Sequence, residues 1–539
     1  MKISSFFLFF MLLNTCLIAQ LPECDATALI TEDNANLIAQ KLNNIYGGGS
    51  CPTVFYDTGG SIATLGKDYR IRVSWETIKI LKEFGCAADD CLAVILAHEL
   101  RHFHEGETGV HYGSNASKSE VDADLFGLLV AHLAGYSAGI KNYDAMLVSL
   151  DLRDSKVHPD LQKRIQNDNT IKKRLNEIIP LYQAGIYNLL IGGTTELNRA
   201  AACFKMANAN LEQGNDKFEF PQFNYQLGLV YFLKALGEYG GSEKWVFPLE
   251  TLDASSFRGN TQGNQEQMLL LLDSAEIYFK KNIMINNMDW NAQLGLANAK
   301  VLRIANNNQT LSNVNLFVNA LLTDVKNEIV QYSAQIENDK NNNNEPPKWK
   351  LYYIRNLREI RDKTVLLQYL SKLLVDPYDT AIKLELQKLG QETSFIEVKG
   401  LVSANIALFD GVSISQSNTL ELDEVDGLNI SNWKQIYDTF KTQKGNYKSN
   451  IGKNQLLILQ PLEYKGSQLM LYGVDKSNAY LFQEYNTCPL DAETVDRAGG
   501  GTSQTGTGNF RFFRNKDYSV IIEMSPNGKN VERCVKVFY

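Results

Sequence analysis

Apolar residues recur at helical spacing through much of the chain and alternate with polar ones in shorter stretches near both ends. In "DDCLAVILAHELRHFHEG" the apolar positions Leu92, Ile95, Leu96, Leu100 and Phe103 fall three or four residues apart. That spacing predicts a helix, with Asp89 and Asp90 as capping candidates and Gly106 at its end. "SEVDADLFGLLVAHLAGY" predicts a second helix, capped by Ser117 or Ser119. Before them, "TVFYD" and "YRIRVSW" have the β-branched, partly alternating character of strands. Residues 20–175 therefore read as a mainly helical domain with a small sheet.

Residues 176–392 are helical and repetitive. "LLDSAEIYFKKNIMINNMDWNAQLGLANAK" resembles a tetratricopeptide repeat: a helix with Ala275 and Phe279, a polar turn, then a helix with Leu294-Gly295. "FNYQLGLVYF" carries a matching Leu227-Gly228 with Tyr231, about two periods of a roughly 34-residue repeat away. "RAAACFKMA" contributes Ala200, Phe204 and Ala207 in the same manner, and "ENDKNNNNEPPK", residues 337–348, reads as a solvated loop. Concave faces of such repeats hold peptides or partner proteins more often than they perform chemistry. From 393 to 539 the pattern changes again. "SFIEVKGLVSANIALF", "NQLLILQPL", "SQLMLYGV", "YSVIIEM" and "CVKVFY" read as strands, broken by turns such as "RAGGGTSQTGTGN", with one helix around "SNWKQIYDTFKTQ". The expected fold class is multidomain α+β: a mainly helical domain with a small sheet, a helical-repeat domain, and a mainly β C-terminal domain.

Composition adds a compartment and removes some partners. "MKISSFFLFFMLLNTCLIAQ" has Lys2 followed by a short apolar run and a plausible cleavage point at Ala19-Gln20, so residues 1–19 read as a secretory leader too short to span a bilayer. No later segment reads as membrane-spanning. The expected location is periplasmic or extracellular, in an oxidising setting that admits disulfides. Neighbouring cysteines suggest Cys24–Cys51, Cys86–Cys91 and Cys488–Cys534, leaving Cys203 alone. Formal net charge is −8, and neither a basic excess nor a phosphate loop points to nucleic acid.

The candidate chemistry lies on the two helices read first. All six histidines fall between residues 98 and 158. His98, Glu99 and His102 form His-Glu-x-x-His, and residues four apart share one helix face, so both imidazoles can meet one ion. Glu99 stands beside the pair, where it can take a proton from water that the ion activates. Glu120 is the candidate third ligand, and Asp124, one turn later, can accept the second N–H of a ligating imidazole. His104 and His111 read as solvated, His132 as packed or hydrogen-bonded, and Arg101, Glu105 and Glu107 as surface residues.

"LAVILAHELRH", "EVDADLFGLLVAHLAGY" and "HPDLQKRI" stand in the order seen in the HtpX, CAAX-prenyl-protease and BepA family of zinc peptidases, which they resemble over about residues 50–170. The Glu-x-x-Ala-Asp of that family corresponds to Glu120, Ala123 and Asp124. The resemblance implies a gluzincin: Zn2+ on His98, His102 and Glu120, and Glu99 as general base. His158 would gate the metal or stabilise an oxyanion. It also implies a peptide or protein substrate, and the family includes an exported member that combines such a domain with helical repeats. The rival expectation is a chaperone or assembly factor that binds clients through its repeats and carries a latent zinc site.

Overall fold

The computed structural model describes most of residues 30–411 and the backbone of strands between 447 and 538; the longer stretches outside it are 1–29, 109–115, 152–160, 212–219, 240–244, 250–263, 412–446, 449–456, 486–500 and 525–530. Expectations for the leader, Cys24, His111, His158 and the "SNWKQIYDTFKTQ" helix lie outside the described residues, as do those for the side chains of Cys86, Glu105, Glu107, Cys488 and Cys534. The structure is mostly helical with a small three-stranded sheet. The chain divides into two compact units. One is drawn from residues up to 168; the other takes everything from 169 onward together with 40–51 and 133–135.

The first unit opens with α1 (Glu32–Ile45), followed by β1 (Thr53–Asp57), β2 (Ala63–Leu65) and β3 (Arg70–Ser74). Strand β3 is central. It pairs parallel with β1, Val54 opposite Ile71, and antiparallel with β2, Thr64 opposite Arg72. The outer edge of β1 is closed by side chains of α1. Asn36 donates to the Val54 carbonyl at 3.0 Å and accepts from its amide at 2.9 Å, while Glu32 accepts from the Tyr56 amide at 2.8 Å. The other edge differs. Residues 62, 64 and 66 face β3, so the amides of Ala63 and Leu65 point away from it. Among the described residues no further strand pairs with this edge, where Ala63 is buried and Leu65 partly exposed.

After β3, Ser74 caps α2 (Trp75–Lys82) by accepting from the Thr77 amide at 3.0 Å. Gly85 (φ +56°) takes a left-handed conformation in the reversal that follows, which suits glycine. The chain then enters α3 (Ala88–Thr108), α4 (Ala116–Leu133) and α5 (Ala138–Asp151). The strands and the two helices predicted first are therefore present, with α3 running past Gly106. Helix α4 is buried on almost all sides, through Ala123, Leu125, Phe126, Leu128, Leu129 and Val130. It ends at Gly135 (φ +96°), where the Tyr136 amide reaches back to the Ala131 carbonyl at 2.9 Å. The expected Cys86–Cys91 bridge is absent: Cys91 is a buried free thiol. Both cysteines lie on helical backbone, where five residues of separation carry α-carbons roughly 8–9 Å apart, beyond disulfide reach. Cys203 is a buried free thiol, as expected.

The second unit contains α6 (Leu161–Ile191) beyond residue 168, then α7 (Thr194–Leu211), α8 (Pro221–Glu238), α9 (Gln265–Ile285), α10 (Trp290–Leu302), α11 (Leu311–Asn341), α12 (Lys348–Leu373), α13 (Thr380–Glu392) and α14 (Ile396–Phe409). From α7 on, neighbours in sequence pack on one another. The two Leu-Gly pairs have a physical reason. The Phe279 ring of α9 lies against Gly228 of α8 and Gly295 of α10, and a β-carbon at either glycine would overlap it. Phe204 meets Gly185 in the same way.

Two expectations here are corrected. Residues 396–409 are a helix, not a strand, because Val398, Leu401, Val402 and Asn405 fall on one buried helical face. Asn405 brackets Val246, accepting from its amide and donating to its carbonyl, both at 2.9 Å. The polar segment from 337 is helical through Asn341, where the end of α11 runs on in solvated form. Beyond 447 the described strands pair antiparallel; those at Ser467–Gly473, Ala479–Tyr485, Val531–Phe538, Tyr518–Met524, Gly508–Arg514 and Gly501–Thr505 lie side by side in that order.

Asp289 caps α10 by accepting from the Ala292 amide at 3.0 Å. Burial pushes its carboxyl up to about 7, against the hydrogen bonds from Ala292, Asn282 and Asn291. The folded state therefore holds the proton more tightly than the unfolded chain, whose aspartate titrates at about 3.9. Stability present at low pH is lost as pH rises from about 4 through about 7. Asp289→Asn keeps the cap acceptor and removes this loss. Thermal unfolding at pH 5 and pH 8 should show the variant gaining on the wild type at the higher pH.

Candidate metal centre

Helix geometry stacks His98 and His102 one turn apart on α3, with ring centroids 4.9 Å apart and Nε2 atoms 3.2 Å apart. Glu120, in the second turn of α4, faces both. Its Oε2 is 3.4 Å from His98 Nε2 and its Oε1 3.6 Å from His102 Nε2. These three residues form a group within metal-binding distance. A tetrahedral ion with ligand bonds of about 2.0–2.1 Å has ligand atoms roughly 3.3–3.4 Å apart. The three observed separations bracket that value. Two imidazoles and a carboxylate also suit a borderline cation better than the hard, all-oxygen ions.

Asp124, one turn after Glu120, lies behind His98. Its Oδ1 stands 2.9 Å from His98 Nδ1, and both residues are buried. A proton on Nδ1 donates to the carboxylate, which turns Nε2 toward His102 and Glu120. Burial alone would lower the His98 pKa. The hydrogen bonds to Asp124 and Glu120, with the charges of Asp124 and Glu99, outweigh it and hold the imidazole up at about 10. Glu99 is only 6% exposed. Three carboxylates gathered around two imidazoles in a largely buried place require positive charge, from a proton or a metal ion.

What brings Glu120 and Asp124 so close to α3 is Gly127. It continues their stripe along α4, and a β-carbon there would stand 3.1 Å from the His98 backbone nitrogen and 3.2 Å from the Val94 carbonyl oxygen. The obstacles are main-chain atoms, so a side chain at 127 would push the helices apart. Sequence reasoning missed Gly127. Its signal was a glycine three residues after Asp124 and seven after Glu120, on the face that carries the ligands.

Other expected roles change. Arg101 is not a surface residue: it is 6% exposed, its guanidinium 4.6 Å over the Phe126 ring. It clamps α3 to α4 on a face beside the cluster. His104 is half-buried. It packs edge-on to Phe103, and burial with the nearby Arg101 charge pushes its pKa down to about 3. His132 is half-buried. Strand β3 is paired on both sides, and β2, at one edge of the sheet, packs on α3. Among family models, curated proteins and solved structures, no match to this chain was found.

Asp124→Asn keeps the side chain's size but removes the charge that orients His98. Metal affinity should fall about 10–100-fold, read as faster loss of bound zinc to a chelator, with helical content unchanged.

Proposed function

We propose that the chain is an exported zinc metallopeptidase of the gluzincin kind, akin to the HtpX, CAAX-prenyl-protease and BepA family, acting on protein or peptide substrates. The observation that supports this most is the convergence of His98, His102 and Glu120 on one point, with Asp124 behind His98 and Glu99 buried alongside. Among the described residues no helix is long and apolar enough to cross a membrane.

His98, His102 and Glu120 would hold the ion. Zinc bound there would supply Lewis acidity, acidifying water and polarising a peptide carbonyl. Glu99 takes the proton from the attacking water and passes it to the amide nitrogen as the carbon–nitrogen bond breaks, so the products are one acid and one amine. Asp124 keeps His98 in one tautomer through the cycle. The outward amide of Leu65, which is partly exposed, would help align an extended substrate along β2. In this reading the helical unit holds a client or partner protein and the C-terminal strands form a separate β domain.

The deciding experiment pairs zinc content with cleavage of unfolded casein. Wild type should carry about one zinc per chain, the stoichiometry of a single catalytic site, and cleave. Glu99→Gln should keep the zinc and lose cleavage by at least about a thousandfold. Equal cleavage by both would overturn the reading, and zinc without cleavage in either would favour a client-binding protein with a latent site. A second variant tests alignment. Leu65→Pro removes an outward N–H without touching the β3 pairing. It should raise the Michaelis constant severalfold while zinc content holds.

A further inference from the structure

A second constellation lies on the helical unit. Helices α8 and α9 each carry the same short run, "YFLK" at 231–234 and "YFKK" at 278–281. In each, the phenylalanine is fully buried, Phe232 and Phe279, while the tyrosine and the final lysine lie on partly exposed faces. Because α8 and α9 pack along each other, the two tyrosines meet. The Tyr231 and Tyr278 rings are parallel within 2°, centroids 5.6 Å apart.

Cations surround this ring pair. Lys205 of α7 donates to the Tyr231 hydroxyl at 2.6 Å, and its ammonium lies 5.3 Å from that ring's centre. Lys234 lies 5.4 Å from the same ring, and Lys281 5.9 Å from the Tyr278 ring. Burial, and after it the nearby charge of Lys205, lower the Lys234 pKa; Glu238 offsets this in part. Two ammonium groups thus crowd one tyrosine. The Tyr231 hydroxyl accepts from Lys205, which leaves its own hydrogen to donate.

We propose that the Tyr231–Tyr278 ledge, with Lys205, Lys234 and Lys281, is a docking site for an acidic segment of a partner polypeptide. Neighbouring Asp or Glu carboxylates would relieve the repulsion between Lys205 and Lys234 and accept the Tyr231 hydrogen. The peptide's aliphatic and planar groups would lie on the rings. Three lysines match a few carboxylates, and the chain's net charge of −8 opposes the approach of a long polyanion. The proposal stands independently of the metallopeptidase reading.

The test uses the full-length protein and a fluorescein-labelled octapeptide of alternating Glu and Gly, followed by fluorescence anisotropy at low and moderate salt. The acidic peptide should bind, weaken as salt rises, and bind at least tenfold more weakly to Lys205→Ala/Lys234→Ala. A Gln–Gly peptide should not bind. Tyr278→Leu, which leaves all three lysines, should also weaken binding severalfold, since the ring pair is part of the site. All three substitutions lie at exposed or partly exposed positions, and unchanged thermal unfolding would confirm intact folding. Equal binding by wild type and the double-lysine variant would overturn the proposal. So would tighter binding of a single-stranded oligonucleotide or of phosphatidylglycerol vesicles, since either would reassign the ledge to a phosphate ligand.

Discussion

The cluster of His98, His102, Glu120 and Asp124 rests on one close approach, that of α4 to the backbone of α3 at Gly127. A β-carbon at 127 would crowd the backbone at His98 and Val94, so glycine there lets the helix carrying Glu120 and Asp124 lie close to both histidines. Arg101 over Phe126 holds the same pair of helices. The buried acids then fix the electrostatics: with Glu99 and Asp124 out of solvent, the place is built to hold positive charge.

A common device ties helices to less regular chain in both units. Asn36 brackets Val54 and Asn405 brackets Val246, each amide giving and taking one hydrogen bond as a neighbouring strand would. In the first unit the result is asymmetry. The edge of β1 is closed by side chains of α1, while β2 pairs with no further strand among the described residues and packs on the helix bearing the histidines.

The grouping of these side chains was legible in the sequence because helical periodicity alone fixes which residues share a face. His98 with His102, and Glu120 with Asp124, needed only the i, i+4 rule. The central place of β3 was not legible, because pairing partners are set by tertiary contacts and not by alternation along one strand. Arg101 was misread for a related reason: polarity marks a residue for solvent until a second helix covers it, here through Phe126. Residues 396–409 misled because β-branched and apolar residues suit either element, and the deciding signal was the face shared by Val398, Leu401, Val402 and Asn405. Gly127 escaped notice because what it contributes is the absence of a side chain.

Phe279 carries a consequence for how the helical unit comes apart. One ring occupies notches on two neighbouring helices at once, so α8, α9 and α10 cannot loosen singly without emptying a shared socket. Their backbone amides should exchange with solvent as one cooperative block, and a disturbance arriving at α8 is felt at α10 without passing through any polar contact.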